Sequence, residues 1–288
     1  MTRSLIANAT ARPFIKWAGG KSQLLPALTQ RLPQQFKRYH EPFLGGGAFY
    51  FHLYNTGKLT EGATLSDYNP ELVLCYQVVR DQLDDLIEAL QPHQQNRLDP
   101  QYFHEVRSWD RQADFAQRSP VERAARTIYL NRTCYNGLYR LNKLGQFNAP
   151  FGYYKNPQIC DVDNLRLASQ ALQYAELRVD DFWQVSQRAQ TGDFIYFDPP
   201  YVPVSTTASF TTYTGQTFGL DHQQRLADLF NSLQQRGIYG MLSNSSTPIT
   251  HQLYQASGNT INIVMASRKI NSIASKRGEI EEILVCNY

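Results

Sequence analysis

Four consecutive apolar residues, Phe194-Ile195-Tyr196-Phe197, lie between Gly192-Asp193 and Asp198-Pro199-Pro200-Tyr201. An uninterrupted apolar run bounded by turn formers reads as a strand buried on both faces, the pattern of a parallel sheet. The prolines stop the strand, so its carboxyl end opens into a loop. In open α/β sheets ligands collect at that edge. The loop offers a carboxylate, a rigid Pro-Pro unit and an aromatic ring, a set suited to an amine attached to an aromatic base. Such an amine has a delocalised lone pair and two N–H groups that need two acceptors. Asp198 supplies a carboxylate oxygen, Pro199 a backbone carbonyl, and Tyr201 a face for stacking. Asp-Pro and Pro-Pro are also ordinary turn formers, so the rest of the chain must decide.

Two further stretches read as strand-to-loop junctions: Tyr39-His40-Glu41-Pro42-Phe43 before Gly45-Gly46-Gly47, and Ala63-Thr64-Leu65 before Asp67. More strands are predicted at Leu177-Arg178-Val179, Ile238 to Leu242 and Glu282 to Cys286. About 130 residues separate Asp67 from Asp198, far more than one β-α-β crossover requires, so a segment is inserted. Within it, Asn69-Pro70 starts a helical pattern through Leu72, Val73, Tyr76, Val79, Leu83 and Leu86. A second helix follows Ser119-Pro120. Asn142-Lys143-Leu144-Gly145 reads as a hairpin turn, with Phe147 to Tyr154 as its returning arm. Beyond the insert, Gln223 to Gln235 carries an amphipathic helix.

The glycine turn at 45–47 lets backbone approach a ligand closely. Asp67 follows Gly47 by 20 residues, the spacing at which a doubly wound fold brings an acidic side chain to a ribose. The glycines do not form Gly-x-Gly-x-x-Gly, so a nucleoside without phosphates fits better than a dinucleotide. Taken singly, the glycines read as a plain turn and Asp67 as a helix cap.

Charge is unevenly placed. From Glu122 to Lys155 six basic residues (Arg123, Arg126, Arg132, Arg140, Lys143, Lys155) stand against one acid, more positive than the +3 of the whole chain. Tyrosines and phenylalanines are interleaved with them, which suggests a nucleic-acid face. Arg123 and Arg126 read as a solvated helix face, whereas Arg140 does not.

The four cysteines contain no Cys-x-x-Cys pair and the six histidines no metal-binding spacing, so reduced buried thiols and no catalytic metal are expected. The residues 1–12 carry no signal-peptide pattern, and no segment is long enough to cross a bilayer.

Four blocks together resemble the DNA adenine methyltransferase (Dam) family: Phe14-Ile15-Lys16-Trp17-Ala18-Gly19-Gly20-Lys21, Glu41-Pro42-Phe43-Leu44-Gly45-Gly46-Gly47, Leu130 to Arg140, and Asp198-Pro199-Pro200-Tyr201. They span nearly the whole chain and stand in the order of the α group of N6-adenine enzymes. The resemblance implies an α/β fold: a Rossmann-like S-adenosylmethionine-dependent methyltransferase sheet, with an inserted, mainly helical target-recognition domain carrying a β-hairpin. It divides the chain into a catalytic part, 1–68 and 161–288, and a recognition part, 69–160.

By the same resemblance Trp17, Lys21, Phe43, Gly45, Asp67, Asp181, Phe182 and Asp198 would contact S-adenosylmethionine. Asp198, Pro199, Pro200 and Tyr201 would surround the target adenine, and Ser205 to Tyr213 resembles a mobile loop that closes over it. The reader of double-stranded DNA would be Tyr135, Asn136, Leu138 and Arg140, with Lys16 at the first guanine and Pro150 and Lys155 beside the duplex. Members with this segment recognise GATC. Some relatives carry a basic residue where this chain has Tyr153, which puts one phosphate contact in doubt.

The implied enzyme needs no metal, works as a monomer on DNA in the cytoplasm and has no membrane partner. A cognate restriction endonuclease would be a genetic partner. The competing readings are an amino methyltransferase acting on cytosine N4, RNA adenine or a protein glutamine, and a catalytically silent DNA-binding protein. Asp rather than Ser at position 198 and the tyrosine-rich basic insert favour duplex adenine. Trp17, Lys21, Asp67 and Asp198 speak against a decayed site.

Overall fold

The computed structural model describes residues 9–17, 19–203, 218–255, 258–267 and 279–288. Seven strands form one sheet: β1 (Tyr39–Glu41), β2 (Ala63–Asp67), β3 (Ala175–Val179), β4 (Phe194–Phe197), β5 (Tyr239–Ser245), β6 (Thr260–Ser267) and β7 (Glu279–Cys286), in the order β3-β2-β1-β4-β5-β7-β6. β1 pairs in parallel with β2 on one side and β4 on the other, and β4 with β5, while β7 runs antiparallel to both β5 and β6. This is the expected Rossmann-like α/β sheet. Sequence order reverses at β1, so the carboxyl ends of β2, β1 and β4 flank a topological switch point.

The chain folds as two compact units. One comprises the described residues of 1–20, 45–58 and 69–177, the other residues 21–44, 59–68 and the described part of 178–288. In the second unit β4 is buried along its whole length. Successive side chains leave a strand on opposite faces; Ile195 and Phe197 join Leu226, Phe230, Leu242 and Val285 in one core cluster. Leu226 and Phe230 come from the helix Leu220–Leu233, which places the amphipathic pattern read from Gln223 onward.

In the first unit the helix Pro120–Thr133 is central and packs against Pro70–Asp81 and Leu83–Gln95. Its start is a capping box: Ser119 accepts from the Glu122 amide, and Glu122 reaches back to the Ser119 amide. The apolar pattern from Leu72 through Leu86 forms two helices rather than one, because the backbone leaves the helical region at Gln82 (φ −136°, ψ 45°). Asp84 and Asp85 then fall in a new first turn, where negative charge suits the helix dipole.

This division differs from the one drawn on function. The helices Ala48–Asn55 and Val162–Leu172 pack on each other, with the Tyr50 hydroxyl donating to the Ala171 carbonyl at 2.5 Å, and Val162–Leu172 also packs on Pro70–Asp81. Residues outside 69–160 therefore complete the core of the inserted segment. The hairpin is present but short. Leu141 and Phe147 form an isolated antiparallel bridge, the Asn148 amide donates to the Arg140 carbonyl, and Asn142 Oδ1 accepts from the amides of Leu144 and Gln146. The returning arm continues past Pro150, and Phe151 forms a second isolated antiparallel bridge, with Cys134.

Candidate active site

Within the second unit the edge of the sheet gathers the predicted carboxylates. Asp67 ends β2, Phe43 follows β1, and Asp198 follows β4, so three neighbouring parallel strands deliver them to one edge. The Asp180 amide donates to the Asp67 carbonyl at 3.1 Å, which ties the segment after β3 to the same edge. The capping role open to Asp67 belongs instead to Asn69, whose side chain accepts from the amides of Glu71 and Leu72. Asp181 caps the turn Phe182–Gln184 through the Trp183 amide, and Asp180 pairs with Arg188 at 2.8 Å. Phe43 and Phe182 stack at 5.5 Å between centroids and 21°, and Phe218 meets both edge-on.

In the loop after β4, Asp198, Pro200, Tyr201 and Val202 are each held by side chains from other elements. Asp198 Oδ1 receives Lys21 Nζ at 2.7 Å and the Ser243 hydroxyl at 3.0 Å. Because Ser243 spends its proton on Asp198, the Tyr196 hydroxyl 3.0 Å away donates to Ser243. The Pro200 carbonyl accepts from Gln223 Nε2 at 2.8 Å, and Gln223 Oε1 accepts in turn from Asn244. Asn244 Oδ1 also accepts the Val202 amide. The Tyr201 hydroxyl donates to Glu282 Oε2 at 2.8 Å, while Lys21 Nζ lies 4.6 Å from the Tyr201 ring centre. Two tethers fix the ring's plane.

Burial pushes the Asp198 carboxyl above the usual carboxylate range, and Lys21 and then Ser243 oppose the shift. The side chain retains 20% exposure against 8% for Lys21. It is therefore a partly accessible acceptor backed by a buried cation. Burial and the nearby Asp198 carboxylate also raise the Tyr201 phenol well above its ordinary value, so its proton stays in place for Glu282.

The first unit holds the other predicted residues. Gly45 has φ +48°, and a Cβ there would lie 2.7 Å from Trp17 Cδ1, so the indole fills the space a side chain would need. The Tyr76 hydroxyl donates to the Gly45 carbonyl at 3.0 Å. Asn131, buried in the central helix, accepts the Lys16 amide at 2.7 Å and donates to the carbonyls of Lys16 and Gly137. One side chain thus joins the block around Lys16 to the turn Tyr135–Gly137. Asn136 adopts the left-handed region at φ 56°, where asparagine is tolerated, and Gly137 follows at φ 64°.

Tyr135, Asn136, Arg140, Pro150 and Lys155 are exposed and Leu138 is half-buried. Pro150 sits beside the turn, its carbonyl accepting the Tyr135 amide at 2.8 Å. The Arg140 guanidinium donates to the Asn148 carbonyl at 2.5 Å. Lys16 Nζ lies 4.2 Å from the Tyr154 ring centre. Arg126 is not part of a solvated face: it is buried, pairs with Asp110 at 2.8 Å and donates to the carbonyls of Val106 and Arg107. Arg123 pairs with Glu71.

The arrangement chemically supports an amine-gripping carboxylate, an aromatic platform and, for a nucleoside with a charged tail, an apolar ring pair, a carboxylate and an ammonium. Sequence reasoning missed Ser243, Gln223, Asn244 and Glu282, which come from elements after the loop and carry no motif. Ser205 to Tyr213 lies outside the described residues. Among the described residues no group of three or more His, Cys, Asp or Glu is placed to hold a metal ion, and no helix is long and apolar enough to cross a membrane. All four cysteines are free thiols.

The profile of the D12 class N6 adenine-specific DNA methyltransferases matches residues 17–270. The type II methyltransferase M1.LlaDCHI of Lactococcus lactis subsp. cremoris is 42% identical over 279 residues, covering 96% of this chain and 95% of that protein. The type II methyltransferase M.MjaIII of Methanocaldococcus jannaschii is 41% identical over 290 residues, covering 96% and 99%. The DNA adenine methylase of Escherichia coli strain K12 is 32% identical over 275 residues, covering 95% and 94%.

Proposed function

Since the chain belongs to the D12 class of N6 adenine-specific DNA methyltransferases, we propose that it moves the methyl group of S-adenosylmethionine to N6 of an adenine swung out of duplex GATC. The observation that carries this reading is Asp198 at the carboxyl end of β4, which among the described residues is tethered by Lys21 and Ser243 at Oδ1. Oδ2 then has capacity for an incoming N–H, and the Pro199 carbonyl supplies the second acceptor. Together they hold both amine hydrogens and leave the nitrogen facing the methyl group. Tyr201, fixed by Glu282 and Lys21, stacks on the base.

S-adenosylmethionine supplies a methyl group on a positively charged sulfonium. Asp67 accepts from its ribose hydroxyls, Phe43 and Phe182 cover its adenine with Asp181 alongside, and Trp17, seated against Gly45, covers apolar surface. An ammonium carries three donors, so Lys21 can serve both Asp198 and the donor's carboxylate. Catalysis comes from alignment and exclusion of water, with no covalent enzyme intermediate.

Extruding the base costs roughly a few kcal/mol, offset by its new stacking and hydrogen bonds. Arg140 suits bidentate bonding to guanine O6 and N7, and Tyr135 or Leu138 fills the vacated stack. Asn136, Pro150, Lys155 and Lys16 support the duplex. Functionally, residues 69–160 recognise the target and 1–68 with 161–288 carry the chemistry. The enzyme acts as a monomer on cytoplasmic DNA, and a restriction endonuclease of the same specificity would be its genetic partner.

The test is protection. Plasmid prepared from cells expressing the protein should resist an endonuclease that cuts only unmethylated GATC, and cutting at undiminished rate would refute the specificity.

A further inference from the structure

Tyr139 stands between two residues assigned to DNA, Leu138 and Arg140, yet it points the other way. Neighbours in extended chain project to opposite sides, and Leu138 is extended (φ −75°, ψ 113°). Arg140 is exposed, whereas Tyr139 retains 6% exposure. Its ring stacks on Trp17, with centroids 5.3 Å apart and planes at 28°. Its other ring contact is Phe147, edge-on at 5.6 Å, a buried residue of the same hairpin. The indole it supports is the one that rests on Gly45 at the glycine turn.

We infer that Tyr139 is a positioning residue for Trp17 and couples docking of the 135–140 segment on DNA to occupancy of the methyl-donor site. This rests on the reading that Trp17 contacts the donor. When Leu138 and Arg140 engage a duplex, the backbone between them is fixed, and Tyr139 carries that constraint to the indole through a face-to-face contact. Coupling between two binding sites is reciprocal. The duplex therefore alters affinity for the donor's nucleoside, and the nucleoside alters affinity for the duplex by the same factor.

The test uses S-adenosylhomocysteine, which cannot be turned over, and measures its dissociation constant on the full chain with and without saturating GATC duplex. Wild type should show a change of about fivefold or more; no change overturns the inference without recourse to any variant. Tyr139→Leu keeps apolar bulk but removes the ring face, and should bring the ratio to within about twofold of unity, while Tyr139→Phe should retain it. Melting curves establish that each variant is folded, and Tyr139→Met replaces Tyr139→Leu if the latter is not. Trp17→Leu separates the two layers. If it leaves S-adenosylhomocysteine binding unchanged, the donor assignment fails and the coupling with it. If it weakens binding while Tyr139→Leu keeps wild-type coupling, only the inference fails. In the double variant the Tyr139 substitution should add no further loss of coupling.

Discussion

Lys21 Nζ and Asp198 Oδ1 lie 2.7 Å apart, the lysine all but buried and the carboxylate partly accessible. A carboxylate carried from water into a protein resists ionisation, and an adjacent cation offsets that resistance. Here burial is the larger influence, so the carboxyl titrates above its ordinary range. The protonated form cannot accept an amine hydrogen at that oxygen.

Turnover at saturating donor and duplex should therefore fall on acidification at a pH above that of an ordinary aspartate. Lys21→Met removes the opposing charge and hydrogen bond, so the acid limb should move to higher pH. Ser243→Ala should move it the same way by less. The stability contribution has the opposite face: with the folded pKa raised, it is fully present below the unfolded pKa and lost as pH rises through the folded one. A limb unmoved in Lys21→Met would separate this carboxylate from the acid limb.

Gly45→Ala should weaken the donor site selectively. The left-handed backbone costs a non-glycine residue about 1–2 kcal/mol, and the new Cβ would meet Trp17 Cδ1 at 2.7 Å. The expected outcome is a donor KM raised by about tenfold, the equivalent of about 1.4 kcal/mol, with duplex affinity in the absence of donor retained. An unchanged donor KM would show that the indole does not need this space.

Asp110 braces the hairpin that carries Leu141 and Phe147. Its Oδ2 accepts the Phe147 amide at 2.7 Å and pairs with buried Arg126, and its Oδ1 pairs with Arg111, which also donates to the Phe147 carbonyl. Asp110→Ala leaves the Arg126 charge buried without its counter-ion, at a cost of about 3–5 kcal/mol. The unfolding midpoint should drop, and at temperatures where the variant is folded it should lose duplex affinity more than affinity for S-adenosylhomocysteine. Asp110→Asn keeps an acceptor for Phe147 and should lie between.

The strands β1, β2 and β4 and the residues at their ends are legible in the sequence because each signal is local: an apolar run, then glycine, proline or aspartate. The helix starts at Asn69-Pro70 and Ser119-Pro120 are legible for the same reason. β6 was not, since it is read only from its pairing with β7, and neither were Ser243, Gln223, Asn244 and Glu282. Ser243, Asn244 and Glu282 meet the Asp198 loop through pairing of β5 with β4 and β7, and Gln223 through the helix Leu220–Leu233, placements set by long-range contact. The break at Gln82 escaped because periodicity alone does not register a change of axis. The inward turn of Tyr139 escaped because an exposed and a buried tyrosine look alike in a basic, aromatic-rich stretch. Arg126 shows the converse, a charge that reads as solvated and is buried in a salt bridge.

The most direct measurement is nucleoside analysis of duplex DNA after incubation with S-adenosylmethionine labelled in its methyl group, using duplexes with GATC intact or altered at one base. Label recovered as N6-methyladenine from the intact duplex, greatly reduced by each single-base change and by Asp198→Ala, is the predicted result. Label in cytosine, label indifferent to the four bases, or full activity in Asp198→Ala would contradict it.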